Sequence, residues 1–249
     1  MPDSSAAAFR TTRWSLVLRA QGSGTELDQL LRLYWRPVYA WLRRQGRSRH
    51  DASDLTQSFI CDVVLARDLL AKAEKGKGRF RSYLLTALSR FLVDDHRHRT
   101  ASTRAPATPL RSLDAPAFAD PERGRPLLDA AEPSPTDDPV RAFDRQWATT
   151  VIELALERFE RKCVEEGLDE QHTAFMLNVV APATRGSKSQ SLEGLAKSLG
   201  LSDWTKAGST IQTAKRRFRR ELERVVLETL EDPSDLADEL RAIRDALKQ

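Results

Sequence analysis

SLEGLAKSLGLSDWTKAGSTIQTAKRRFRRELER, residues 191–224, is the stretch on which the reading of the chain turns. Leu195, Ala196 and Leu199 recur at helical spacing and stop at Gly200, where a glycine suits the left-handed residue just beyond a helix. Leu201 is placed to plug a core beneath the turn, and Ser202 or Asp203 to cap the helix that follows. The small side chain of Ala196 lets two helices approach closely at a steep angle. The spacing predicts a helix-turn-helix of the kind that binds DNA.

The second helix carries a distinctive polar face. Between 203 and 224, seven positive residues (Lys206, Lys215, Arg216, Arg217, Arg219, Arg220, Arg224) stand against three negative ones (Asp203, Glu221, Glu223), an imbalance that favours a polyanion. Thr205, Ser209, Thr210, Gln212 and Thr213 occupy the N-terminal half, where a recognition helix meets base edges. Lys206, Lys215, Arg216, Arg219 and Arg220 are spaced to meet phosphates. A basic run standing alone reads equally well as a solvated helix face. The turn pattern directly in front of this one favours DNA.

Moving upstream, Phe143, Trp147, Val151, Leu154 and Phe159 mark a helix ending before Gly167. Phe175, Met176, Val179 and Val180 mark another that stops near Pro182. Downstream, Asp232 before Pro233 resembles a helix start, and Leu236, Leu240, Ile243 and Leu247 line one face of a tail over 229–249. That stripe packs back on its own domain or receives a regulator.

Eight of the twelve prolines lie between Pro106 and Pro139, among Ala, Asp, Ser and Thr. Proline fixes φ and removes a donor, so residues 100–139 read as a flexible linker, with an ordered irregular loop as the other reading. Before it, residues 25–99 are again helical in pattern. Leu27, Leu30, Leu31, Tyr34, Val38, Trp41 and Leu42 form one stripe, with Pro37 as a kink or break. Leu55, Phe59, Ile60, Val63 and Val64 form a second over 51–66, and Phe80, Leu84, Leu88, Phe91 and Leu92 a third. No strand-like alternation of any length occurs. The expected fold is all-α: an N-terminal segment over 1–24, helical domains over 25–99 and 140–228, the linker, and the terminal helix.

Composition agrees. The 249 residues are 40% hydrophobic and 31% charged, with a net charge of +4. No run approaches the roughly 20 apolar residues of a membrane span, and residues 1–8 lack the basic start and apolar core of a signal peptide. Cys61 and Cys163 fall inside apolar helical patterns, which predicts buried free thiols in a reducing cytoplasm.

Two features of the front domain go beyond a generic bundle. Asp51, Asp54, Gln57 and Ser58 share one helix face, which offers carboxylates and an amide to a basic partner surface. Lys75, Lys77, Arg79, Arg81, Ser82 and Tyr83 lie in KGKGRFRSY, a basic, glycine-punctuated loop leading into an aromatic helix. Cations beside rings suit single-stranded nucleic acid, because the cations meet phosphates and the rings stack on exposed bases. The same helix continues through Arg90 to DDHRHR, with His96, Arg97 and Arg99 as further backbone contacts.

In this order the motifs resemble the extracytoplasmic-function sigma factors of bacterial RNA polymerase, in a variety common in planctomycetes. The matching pieces are TTRWSLV at 11–17, YWRPVY at 34–39, DLTQ at 54–57, GRFRSYLLTAL at 78–88 and the helix-turn-helix, together spanning about 9–226 apart from the linker. Each is weak alone; their order and spacing carry the likeness. The resemblance implies a non-enzymatic, cofactor-free protein with core RNA polymerase (its β′ clamp and β subunits) and promoter DNA as partners. Asp51, Asp54, Leu55, Gln57 and Ser58 would dock on the β′ clamp. Lys75 to Arg99 would melt and hold the −10 element, and Thr205 to Arg220 would enter the major groove at −35. It also implies that an anti-sigma protein or another input holds the factor in check.

Two other readings are open. A helix-turn-helix regulator acting without polymerase would share 191–224 and give no role to the acidic face. A metal-dependent nuclease or phosphohydrolase would draw on Asp94, Asp95, His96 and His98, with Asp51 and Asp54 elsewhere, but two histidines two residues apart face different ways on a helix, and no Walker-type phosphate loop is present.

Overall fold

The computed structural model describes residues 24–65, 80–102, 138–186, 188–230 and 232–248. Nine α-helices occur among them and no strand. The fold is all-α. TTRWSLV at 11–17, the stretch with Lys75, Lys77 and Arg79, and most of the proline-rich segment lie outside the described residues.

Helix α1 spans Gly24–Arg44 and runs through Pro37 without a break. Proline removes one backbone donor there. Pro37 is itself buried, and Leu33, Tyr34, Val38, Trp41 and Leu42 are buried around it, so packing outweighs the lost hydrogen bond. After a turn, Ser48 caps α2 (Arg49–Phe59) by accepting from the Asp51 N–H. The π turn Ile60–Leu65 extends α2. Helix α3 spans Phe80–Ser102 and packs Leu84, Leu88 and Phe91 inward, with Phe91 5.6 Å from the Phe59 ring.

Beyond the proline-rich segment, Asp138 caps α4 (Pro139–Glu165), and Pro139 sits in the first turn, where no donor is needed. Helix α5 (Asp169–Phe175) passes through the π turn Met176–Val180 into α6 (Ala181–Arg185). Pro182, expected to stop this helix, lies inside it; the stop comes at Gly186, in the left-handed conformation at φ 61°. The wider turn absorbs the missing donor, and the Asn178 carbonyl, four residues before Pro182, accepts from the Ser189 hydroxyl at 3.4 Å. Helices α7 (Leu192–Leu199) and α8 (Trp204–Thr229) follow. A 3₁₀ turn, Pro233–Asp235, capped by Asp232, leads into α9 (Leu236–Leu247).

The helices on either side of the proline-rich segment share one core. Leu42, Phe59 and Leu88 belong to the same buried cluster as Phe143, Trp147 and Val151 of α4, Val225 and Val226 of α8, and Ile243 of α9. The Tyr34 ring stacks on Phe143 with centroids 6.5 Å apart, and burial pushes its phenol well above its ordinary pKa. Arg36 of α1 pairs with Glu153 of α4, which is nearly buried. Each fully buried side chain in this seam contributes about 1.5–3 kcal/mol relative to an exposed one. A second cluster gathers Phe159, Phe175 and Phe218, with centroids 4.8–6.2 Å apart. A third, of Ala174, Leu195, Ala196, Ala207 and Ile211, lies beneath the α7–α8 turn.

Candidate nucleic-acid interface

The α7–α8 pair is built by local chemistry. Ser191 caps α7 by accepting from the Gly194 N–H at 3.0 Å. Gly200 takes φ 66°, a conformation that costs residues with a Cβ, and the Leu201 N–H reaches back to the Ala196 carbonyl at 2.9 Å to close the helix. Asp203, not Ser202, caps α8: its carboxylate accepts from the Lys206 N–H at 2.8 Å and from the Thr205 hydroxyl. These bonds hold its carboxyl below the usual carboxylate range, the Thr205 hydroxyl most of all. Asn178 fixes the approach to α7 by donating to the Gln190 carbonyl at 3.1 Å and accepting from its N–H at 3.3 Å.

On α8, Ala207, Ile211 and Ala214 face the core. Thr205, Lys206, Ser209, Gln212, Lys215, Arg216, Arg219 and Arg220 are exposed, and Thr210 and Thr213 are half-buried. Thr205, Ser209, Gln212, Arg216 and Arg219 follow one another at helical spacing along one solvent stripe. Arg216 donates to the Thr213 hydroxyl at 3.3 Å, and Arg219 meets Glu223 at 2.8 Å, one turn on. Two of the seven cations point elsewhere. Arg217 pairs with Glu166 at 2.5 Å and Arg224 with Glu221 at 2.7 Å. Glu221 is nearly buried and also holds Lys162 at 2.7 Å; burial pushes its carboxyl up, against the pull of Arg158. Arg158 clasps Glu228 through both guanidinium nitrogens, at 2.6 and 2.7 Å. The cationic flank of α8 toward α4 is therefore structural.

On α2, Asp51, Asp54, Gln57 and Ser58 are exposed together, and His50 lies 3.5 Å from Asp54. Leu55, grouped with them by sequence, is buried at 2% exposure and serves the core. Asp62 is exposed four residues beyond Ser58 and adds a carboxylate near this face, which the regular i, i+4 spacing would have revealed.

On α3, Ser82, Arg90, His96 and Arg97 are exposed, Tyr83 is half-buried against the core, and the Arg99 side chain lies outside the described part. Arg81 departs from expectation. Read as a surface cation, it is 7% exposed. Its guanidinium sits 4.3 Å from the centroid of the Trp147 ring, 3.0 Å from a Glu239 carboxylate oxygen and 3.8 Å from Asp144. A cleft of about 230 Å³ opens beside it, lined also by Arg141, Ala242, Asp245 and Ala246. Sequence reading missed Glu239 because the apolar stripe of the tail, Leu236, Leu240 and Ile243, passes over it. Its spacing nonetheless puts it on that stripe, and it is 3% exposed. Trp204, 55% exposed at the first position of α8, was also not singled out.

The cysteines are free, Cys163 buried and Cys61 only half-buried. Burial pushes both thiols up, away from the reactive thiolate. Among the described residues, no three His, Cys, Asp or Glu side chains gather as a metal site, and no helix is long and apolar enough to cross a membrane. Comparison with known proteins brings no matching family model, no matching curated relative and no matching solved structure.

Proposed function

We propose that the chain is a sigma factor of the extracytoplasmic-function type, which binds core RNA polymerase and directs it to promoters. The observation that carries the reading is α8. It is a capped, basic helix held out by the Gly200 turn, with Thr205, Ser209, Gln212, Arg216 and Arg219 on one solvent stripe. Its hydroxyl and amide groups suit base edges near the helix start, and its arginines suit phosphates further along. The −35 element is the site assigned to it, within a unit over 140–228.

The exposed acidic face of α2, in the unit over 25–99, takes the docking role on the β′ clamp. Ser82, Arg90, His96 and Arg97 of α3, with Lys75, Lys77 and Arg79 before it, take the −10 role. The proline-rich segment ties the two DNA contacts together and raises the effective concentration of the second once the first forms. A regulator working without polymerase would use α8 and leave the acidic face idle, so that face is the place to test. Tagged protein should recover β′ from a lysate and start transcription at new sites in a reconstituted reaction, and Asp54→Arg should abolish both. Initiation that survives Asp54→Arg, or absence of β′ from the pull-down, overturns the reading.

A further inference from the structure

We propose that α9 is a built-in cap on the strand-binding surface of α3: Glu239 occupies Arg81 in place of a DNA phosphate, and the chain must release α9 to engage single-stranded promoter DNA. The inference rests on the sigma-factor reading and names its regulation.

Arg81 is the second residue of α3, two positions after Arg79 in the sequence and next to the exposed Ser82. The other described basic residues of that surface, Arg90, His96 and Arg97, are exposed. Arg81 alone is covered, on one side by the Trp147 ring and on another by the Glu239 carboxylate, with Asp144 at the edge. A carboxylate offers guanidinium two coplanar oxygens, as a phosphate does, so the two compete for the same donors. While Glu239 is seated, no phosphate reaches them.

The cap is built to come off. Helix α9 has twelve residues, and only Glu239 and Ile243 are buried. A helix that short is marginal by itself, so it stays formed largely through its packing. Its exposed charges pair within the helix: Arg241 with Asp238 at 2.8 Å, and Arg244 and Lys248 with Asp245, at the rim of the cleft, at 3.4 Å. Glu239 on Arg81 and an apolar seam of Leu236, Leu240, Ile243 and Ala246 seat it on the body. Affinity for the strand falls in proportion to the closed fraction.

The test uses the full-length chain and a labelled single-stranded DNA of mixed sequence, about 16 nucleotides long, followed by anisotropy. Glu239→Gln keeps the shape and removes the charge. It should tighten binding at least roughly fivefold, as when about 80% of molecules are closed, and speed amide exchange in α9. Asp238→Gln, on the outer side of the same helix, should do neither, and adding Arg81→Gln to Glu239→Gln should cancel the gain. If Glu239→Gln loses helix content, Ile243→Ala decides, because Ile243 lies in the apolar seam that seats α9 and its truncation loosens the helix without removing a charge; a gain is expected there too. Unchanged DNA affinity in the folded variant overturns the cap. A wild-type chain that fails to recover β′ while Glu239→Gln still gains affinity sinks the sigma reading and leaves the cap standing. Recovery of β′ with no gain does the reverse.

Discussion

Gly208 sits in the first turns of α8 without any close approach that demands it. A Cβ there would meet only the Leu192 Cδ1 at 3.6 Å, an ordinary contact, and no left-handed φ is needed. Gly208→Ala should therefore stabilise the protein by about 1 kcal/mol through helix propensity. The denaturant midpoint should rise with unchanged slope, and a fall would mean that Leu192 cannot shift. Asp203 gives a second test at this scale. Its folded carboxyl titrates below the unfolded one, so its cap stabilises fully above the ordinary aspartate range and is lost as pH falls through the depressed value. Exchange of the Lys206 amide, corrected for its intrinsic pH dependence, should quicken on that acid side. In Asp203→Asn, which keeps an acceptor and cannot titrate, the acid step should vanish.

Among the elements, α7, its turn and α8 were the most legible in sequence, because glycine, cap and apolar spacing each act within a few residues. The stop expected at Pro182, and the break that was one of two readings at Pro37, fail for the same locality. The cost of each proline is visible in sequence, while the packing around Val38 and the Asn178–Ser189 bond that offset it come from distant positions. Leu55 and Arg81 show the limit for the candidate site. A residue type suggests a surface role, but burial is decided by which helix arrives on top. For Arg81 that helix is α9, encoded more than 150 positions later. At this scale α8 makes its own prediction. Replacing Arg216 and Arg219 together with Ala should weaken binding to duplex promoter DNA and reduce the slope of log affinity against log salt by about 2, one per phosphate contact. Recovery of β′ should be unchanged, and its loss would place these arginines in polymerase docking. Arg217→Ala and Arg224→Ala should leave the salt slope alone, since both lie off the Arg216–Arg219 stripe and are turned toward Glu166 and the nearly buried Glu221.

For the molecule as a whole, the shared core is the governing feature. Phe143 is fully buried where α1 meets α4, so Phe143→Ala should cost about 3–5 kcal/mol. Because Leu42 and Leu88 lie in the same cluster as Trp147 and Val226, the loss should be felt on both sides of the proline-rich segment. Exchange in α2 and in α8 should then rise together. Protection that drops in one and not the other would show two separately melting bodies.

The ion pair between Arg36 and Glu153 joins positions 117 residues apart. During synthesis, at about 5–20 residues per second, the flank of α1 that receives α4 leaves the ribosome on the order of ten seconds before its mate exists. Tyr34 and its apolar neighbours spend that interval uncovered on a growing polypeptide, where a chaperone that binds greasy segments has its opportunity. Slowing translation across 100–139 would lengthen that exposure, and the yield of correctly folded product should fall with it.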